Sequence, residues 1–242
     1  GRRVSLRRQR RDRMMRRSLP LILALALSAC AYTGAEDPVS RKFSWYSYLD
    51  AADIRASCDP GAPARYRFVY NAIYVEQVRA YDVTEVPGGG RHPMRVRVFG
   101  PANIAKIRLA EPLDVLAPWW GEAETAWLGD GDLTRIGEAM AADGAFAGAP
   151  TGLRLHSDAF YWIVAACRDG RFGFNAYLWP DPRFERARFP ELVFAWDPVS
   201  VPVNAPRAAE ALEIHGGTER DDVYQFEVEV GENGLVGAVP LF

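Results

Sequence analysis

The chain has 242 residues, 49% hydrophobic and 12% aromatic, with 29 Lys and Arg against 31 Asp and Glu. Residues 1–29 hold nine of the arginines and one aspartate, so without them 20 basic and 30 acidic residues remain, a formal net charge of about −10. That balance excludes nucleic acid as a natural partner, since Lys and Arg against phosphate supply most of such binding, while the apolar content suits one packed domain.

Residues 1–13, GRRVSLRRQRRDR, are a basic tract set apart from the fold. In the following stretch, MMRRSLPLILALALSAC, a positive patch at Arg16 and Arg17 precedes an apolar run from Leu19 to Leu27, and small residues lead to Cys30. Basic start, apolar middle and small-residue exit are the parts of a secretory signal. The run is about half the length a bilayer-spanning helix needs. Leu27-Ser28-Ala29-Cys30 resembles the lipobox of bacterial lipoproteins. The resemblance covers residues 14–30. It implies cleavage before Cys30, a diacylglycerol thioether on its sulfur and usually an amide-linked acyl chain. More than one acyl chain gives firm attachment to a membrane. Ala31 stands where an aspartate would mark inner-membrane retention, so the resemblance implies the outer membrane, facing the periplasm. The expected organisation is an extension and signal peptide over 1–29, a lipidated tether over 30–42 and a single mainly β envelope domain over 43–242.

Two cysteines remain, Cys58 and Cys167. In an oxidising compartment such a pair tends to form a disulfide; two buried free thiols are the alternative. Metal binding needs more ligands than these, and no Cys-x-x-Cys or His-x-x-x-His spacing occurs.

Along the domain, FSWYSY (43–48) is aromatic, and Asp50 to Ser57 suits a short helix with Asp50 as cap and Asp53 in the first turn. CDPGAP (58–63) is a turn. Arg65 to Val83 is β-rich, with Tyr66, Phe68, Tyr70, Ala72 and Tyr74 on one face; its length calls for a bulge, a bend or two strands. PGGGRHP (87–93) is a loop. Met94, Val96 and Val98 alternate with Arg95 and Arg97, a strand with one wet face. Ile104–Leu109 suits a strand, and Leu113–Trp120 is ambiguous. Asp132 to Gly144 is the best helix, with an apolar stripe of Leu133, Ile136 and Met140. Between FYWIVAAC and FGFNAYLW, Asp169-Gly170 predicts a type I′ hairpin. That turn opposes Cys167 to Phe172, Ala165 to Phe174, Ile163 to Ala176 and Tyr161 to Leu178, all on one face. Leu192–Trp196 and Val199–Val203 are short strand candidates beside prolines, and Arg207–Leu212 is a brief helix candidate. In Val223–Val230, Tyr224, Phe226, Val228 and Val230 point one way. Eight or so strands with few helices predict a mainly β fold, an antiparallel sandwich or partly open barrel.

The chemistry-bearing residue types are scattered. His156-Ser157-Asp158 holds triad types in adjacent positions, where extended side chains diverge. His92 and His215 sit among glycines as solvated loop histidines. Asp130, Asp132, Asp221 and Asp222 lack the spacing of a calcium loop. Gly88–Gly90 match no phosphate loop. Trp45, Tyr46, Trp119 and Trp120 offer an aromatic platform for sugar rings or a peptide; the first place to look is Trp119 and Trp120 with Glu122 and Glu124. No metal and no cofactor are expected, and no catalytic residue is assigned. Two functions are in play. One is a non-catalytic binding or structural role, with the membrane as partner through lipid at Cys30 and an envelope protein or polymer as ligand. The other is a periplasmic hydrolase using an Asp/Glu pair on a glycan or peptide.

Overall fold

The computed structural model describes residues 45–74, 76–99, 122–208 and 225–241. The basic tract, Cys30, Trp119, Trp120, the 104–109 and 113–120 segments, His215, Asp221, Asp222 and Tyr224 lie outside the described residues, as does the 207–212 candidate beyond Ala208.

The fold is mainly β, with two antiparallel sheets that do not close into a barrel and a few short helices: an open sandwich. A helical turn over 45–49 leads into α1 (Ala52–Ala56). The strands β1 (Arg65–Ala72), β2 (Gln77–Thr84), β3 (Arg91–Phe99) and β4 (Glu122–Gly129) follow, then α2 (Asp130–Ala142). After β5 (Arg154–His156), β6 (Phe160–Arg168) and β7 (Arg171–Leu178) come α3 (Pro182–Arg186), α4 (Phe189–Ala195), β8 (Gln225–Val230) and β9 (Leu235–Leu241). The large sheet has the order β4-β3-β2-β1-β6-β7 and the small one β5-β8-β9.

Strand alternation divides the large sheet into two faces. One carries Tyr66, Phe68, Tyr70, Tyr81, Met94, Val96 and Trp162, and is covered by α2 and α4 through Ile136, Met140, Phe189 and Val193. Trp162 is its centre, with ring centroids 4.7 Å from Tyr70, 5.2 Å from Phe189 and 5.3 Å from Phe194. Such pairs contribute about 0.5–1.5 kcal/mol each beyond burial. The other face carries Val69, Val78, Ala80, Tyr161, Ile163 and Ala165, and receives the small sheet through Phe226, Val228 and Val230, with Tyr48, Leu49 and Ile54 beside them.

The 160–178 hairpin has the four expected pairings, and Asp169 and Gly170 both take positive φ (54° and 71°), as a type I′ turn requires. Its eight residues all face the small-sheet side. Cys167 is joined to Cys58 by a disulfide with a Cα separation of 5.6 Å, tying the segment after α1 to the end of β6.

Elsewhere the structure corrects the sequence reading. Arg65–Val83 takes the two-strand form among the expected alternatives, but the turn at Ile73, with a φ of 61°, moves Tyr74 off its expected face, and it packs edge-on to Phe226, 4.9 Å between centroids. Asp50 does not cap α1: Ala51 holds that position in a left-handed conformation, and Asp50 accepts from Leu235 N–H at 2.7 Å. The second helix starts at Asp130, two residues earlier, with Asp132 accepting from Gly129 N–H at 3.1 Å. Leu192–Trp196 is not a strand but the end of α4, opened by Pro190 and held by Phe189 and Val193 on one side. Val199–Val203 is irregular, positioned by the buried Arg79, which bonds Asp197 and the Val201 carbonyl.

Candidate functional site

The densest chemistry lies in a buried ionic network on the small-sheet face. Register builds it: Arg67 of β1 stands opposite Asp82 of β2, and Asp82 opposite Arg95 of β3. Asp82 accepts from Arg67 Nε at 2.7 Å, from the Tyr48 hydroxyl at 2.8 Å and from Arg97 at 3.0 Å. Asp53 of α1 accepts from both Arg67 terminal nitrogens, at 2.7 and 3.0 Å, and from Arg65 at 3.0 Å. The Tyr48 ring lies 3.9 Å from the Arg67 guanidinium and 5.3 Å from that of Arg97. Arg97, expected on a wet face, is 8% exposed because Asp82 draws it inward.

The ionisation states follow from this pairing. Burial pushes the Asp82 carboxyl up, but the Arg67 and Arg97 guanidiniums, with hydrogen bonds from Arg67 and Tyr48, outweigh it and hold Asp82 below the usual carboxylate range. Burial works against the charge of Arg67, yet Asp82, Tyr48 and Asp53 raise it. Burial, then the Asp82 charge, pushes the Tyr48 phenol up. A carboxylate held ionised by two guanidiniums is a weak proton acceptor at neutral pH. The network acts as a clamp, tying the 45–58 segment to three strands.

The residues singled out from sequence are dispersed. Glu122 and Glu124 are exposed on β4, opposite Val98 and Val96, and so belong to the helix-side face. Trp45 packs on Tyr48 at 5.6 Å and Tyr46 on Phe226 at 5.9 Å, as parts of the core's margin. His156 is half-exposed with Nε2 2.8 Å from Glu227, whereas Ser157 is buried and its hydroxyl accepts from Phe226 N–H at 3.2 Å, so the two side chains point apart. His92 is a correction: it is buried in β3, where Nδ1 accepts from Val86 N–H at 3.0 Å and Nε2 lies 2.9 Å from Asp130. Among the described residues no three His, Cys, Asp or Glu side chains converge as metal ligands.

One surface feature escaped the sequence reading. Trp127 of β4 is 56% exposed, and the Arg91 guanidinium lies 5.1 Å from its ring centroid. On this face of the β3–β4 ribbon, register places Pro93 opposite Trp127, Arg95 opposite Thr125 and Arg97 opposite Ala123. The ledge thus joins arginines and an indole, while Glu122 and Glu124 occupy the opposite face. Val86, 41% exposed, precedes Arg91 in the β2–β3 turn at the same end of the sheet. The only advance signal was a tryptophan amid Ala, Glu and Thr, without a strand pattern around it.

Comparison of the chain with known protein families, curated proteins and solved structures returns no match.

Proposed function

We propose that the chain is an exported, lipid-anchored envelope protein whose β domain binds a partner in the envelope. The single observation that carries this reading is the Cys58–Cys167 disulfide. Disulfides form and persist in oxidising compartments, and this one stands behind a segment with the three parts of an export signal. In this account Cys30 holds the protein at the outer membrane, on its periplasmic side, and the clamp around Arg67 and Asp82 keeps the 45–58 segment seated on the sheet. The exposed Trp127–Arg91 pair supports a binding role, because tryptophan and arginine are enriched at interfaces relative to the rest of a protein surface.

Metabolic labelling tests the reading. Cells expressing the chain and fed radiolabelled palmitate are expected to yield labelled protein in the membrane fraction, with label lost in Cys30→Ser. Unlabelled wild-type protein with reduced cysteines in the soluble fraction would overturn it.

A further inference from the structure

We propose that His92 is an acid-released latch on the turn between β2 and β3: neutral, its ring holds the Val86 amide, and protonated, it lets that amide go while keeping Asp130. The ring sits where the strand ladder gives out. The last β2–β3 pair before the turn is Val83 with Met94. Past it, the Val86 N–H is held by the buried His92 ring instead of a β3 carbonyl, donating to Nδ1 at 3.0 Å. A backbone N–H only donates, so Nδ1 carries no proton. The neutral ring therefore holds its proton on Nε2, which donates to Asp130 Oδ1 at 2.9 Å. In the imidazolium both nitrogens are donors. The Nε2 bond then survives, whereas the new Nδ1–H would face the Val86 N–H, donor against donor, and the two must part. Asp130 is bonded whether the turn is closed or open, and its side chain is 79% exposed, so its screened attraction does not choose between the two forms. Nδ1 does choose. The closed turn has no place for a second proton and the open turn has one, so acid favours opening.

The release is local. Glu85, next to Val86, is fastened separately: its N–H donates to the Ala64 carbonyl at 2.8 Å and its carboxylate accepts from Ala64 N–H at 2.6 Å. The latch secures the stretch from Val86 to Gly90, which is closed on itself by Gly89 N–H donating to the Val86 carbonyl at 3.0 Å. Among the described residues, the charged side chains on the elements that meet at His92 are Asp130, Asp132 and Arg135 from α2, Glu85 from the end of β2, and Arg91 beside it in β3. Asp130 bonds the ring. Asp132 is engaged by Gly129 N–H and Arg135, Arg91 lies over Trp127, and β4 places the uncharged Leu128 opposite His92. Because the turn carries the exposed Val86 and leads into Arg91, its release reshapes the surface at this end of the sheet.

The inference rests on neither the lipid anchor nor the binding role. The test is NMR on the full chain, isotope-labelled and held in detergent, at about pH 8 and about pH 5, either side of the ordinary histidine range. Both lie above the acid range in which the Asp82 clamp weakens. The imidazole nitrogens report tautomer and charge, and hydrogen exchange, corrected for the pH dependence of the unprotected rate, reports the protection of each amide. At the higher pH, His92 is expected to be neutral with its proton on Nε2, and the Val86 amide protected. At the lower pH, the ring is expected to be charged and Val86 protection at least tenfold weaker, while the β1–β2 ladder amides keep theirs. His92→Gln, which does not titrate, is expected to show no such change. A proton on Nδ1 or an unprotected Val86 amide at the higher pH would overturn the proposal. So would a ring that stays neutral at the lower pH, a charged ring with Val86 still protected, a loss shared by the ladder, or an equal loss in His92→Gln. All but the last are read on the wild-type chain, so they decide the matter even where the variant does not fold. None of them touches the palmitate-labelling result at Cys30.

Discussion

Replacing Asp82 with Asn removes one charge from the centre of the clamp while keeping nearly the same volume. Arg67, whose side chain is 3% exposed, would keep Asp53 as its only carboxylate among the partners described, and Arg97 would lose its bond to Asp82. Removing one partner of a fully buried pair costs about 3–5 kcal/mol. The Asp82 side chain is 18% exposed and Asp53 remains, so water and the second carboxylate reduce the loss to roughly 2–3 kcal/mol. With a urea slope of about 2–3 kcal/mol per molar, the unfolding midpoint falls by about 1 M. Arg154→Ala is the control, because that arginine is 64% exposed beside Glu227 and its loss costs no more than about 0.5 kcal/mol. The pH dependence supplies a second reading. The folded-state value of Asp82 lies below its unfolded value of about 3.9. Its contribution is therefore complete above that value and is lost as pH falls through the folded value. The gap between wild type and Asp82→Asn should narrow below about pH 4. A midpoint within about 0.2 M of wild type at pH 7, or a gap that does not change with acid, would refute the clamp.

Three further outcomes follow from the same geometry. Reducing the Cys58–Cys167 bond, which spans a sequence separation of 109, should destabilise by roughly 5 kcal/mol on the chain-entropy account, read as a large loss in urea midpoint; a loss under about 1 kcal/mol would contradict that account. Gly170→Ala should cost more than Gly88→Ala: both have positive φ, about 1–2 kcal/mol for a Cβ there, but only at Gly170 would the new atom fall 2.7 Å from Pro60, and equal midpoints would contradict that contact. Burial raises the phenols of Tyr48, Tyr66, Tyr70, Tyr81, Tyr161 and Tyr177, so their contribution is complete below about pH 10 and is lost as pH climbs above it. Phenolate absorbance should therefore rise for these six only together with alkaline unfolding, and six early-titrating phenols would contradict their burial.

Legibility of the fold in the sequence varied with how local the cause was. The 160–178 hairpin could be read to the residue because Asp169-Gly170 sets its own turn geometry and the turn sets the register. The α2 stripe was equally local. The strand β4 was missed because EAETAWLG has helix-forming Ala and Glu and no apolar alternation; pairing to β3 makes it a strand, which is a tertiary cause. His92 was misplaced because Gly88–Gly90 suggested a loop, while the actual turn ends at Gly90 and the imidazole is captured by Val86 and Asp130. Of the candidate site, the disulfide was legible from cysteine arithmetic. The Arg67–Asp82 clamp was not, because two residues 15 positions apart meet only after β1 and β2 pair. Trp127 was invisible as a surface residue because exposure is not written in a residue's type.

The most direct measurement on the account as a whole is the intact mass of the protein recovered from the membrane fraction, with thiol alkylation carried out before reduction. The account predicts a chain beginning at Cys30 with acyl groups attached and with Cys58 and Cys167 refusing alkylation. A mass that retains residues 1–29, carries no lipid and shows alkylated Cys58 and Cys167 would contradict it.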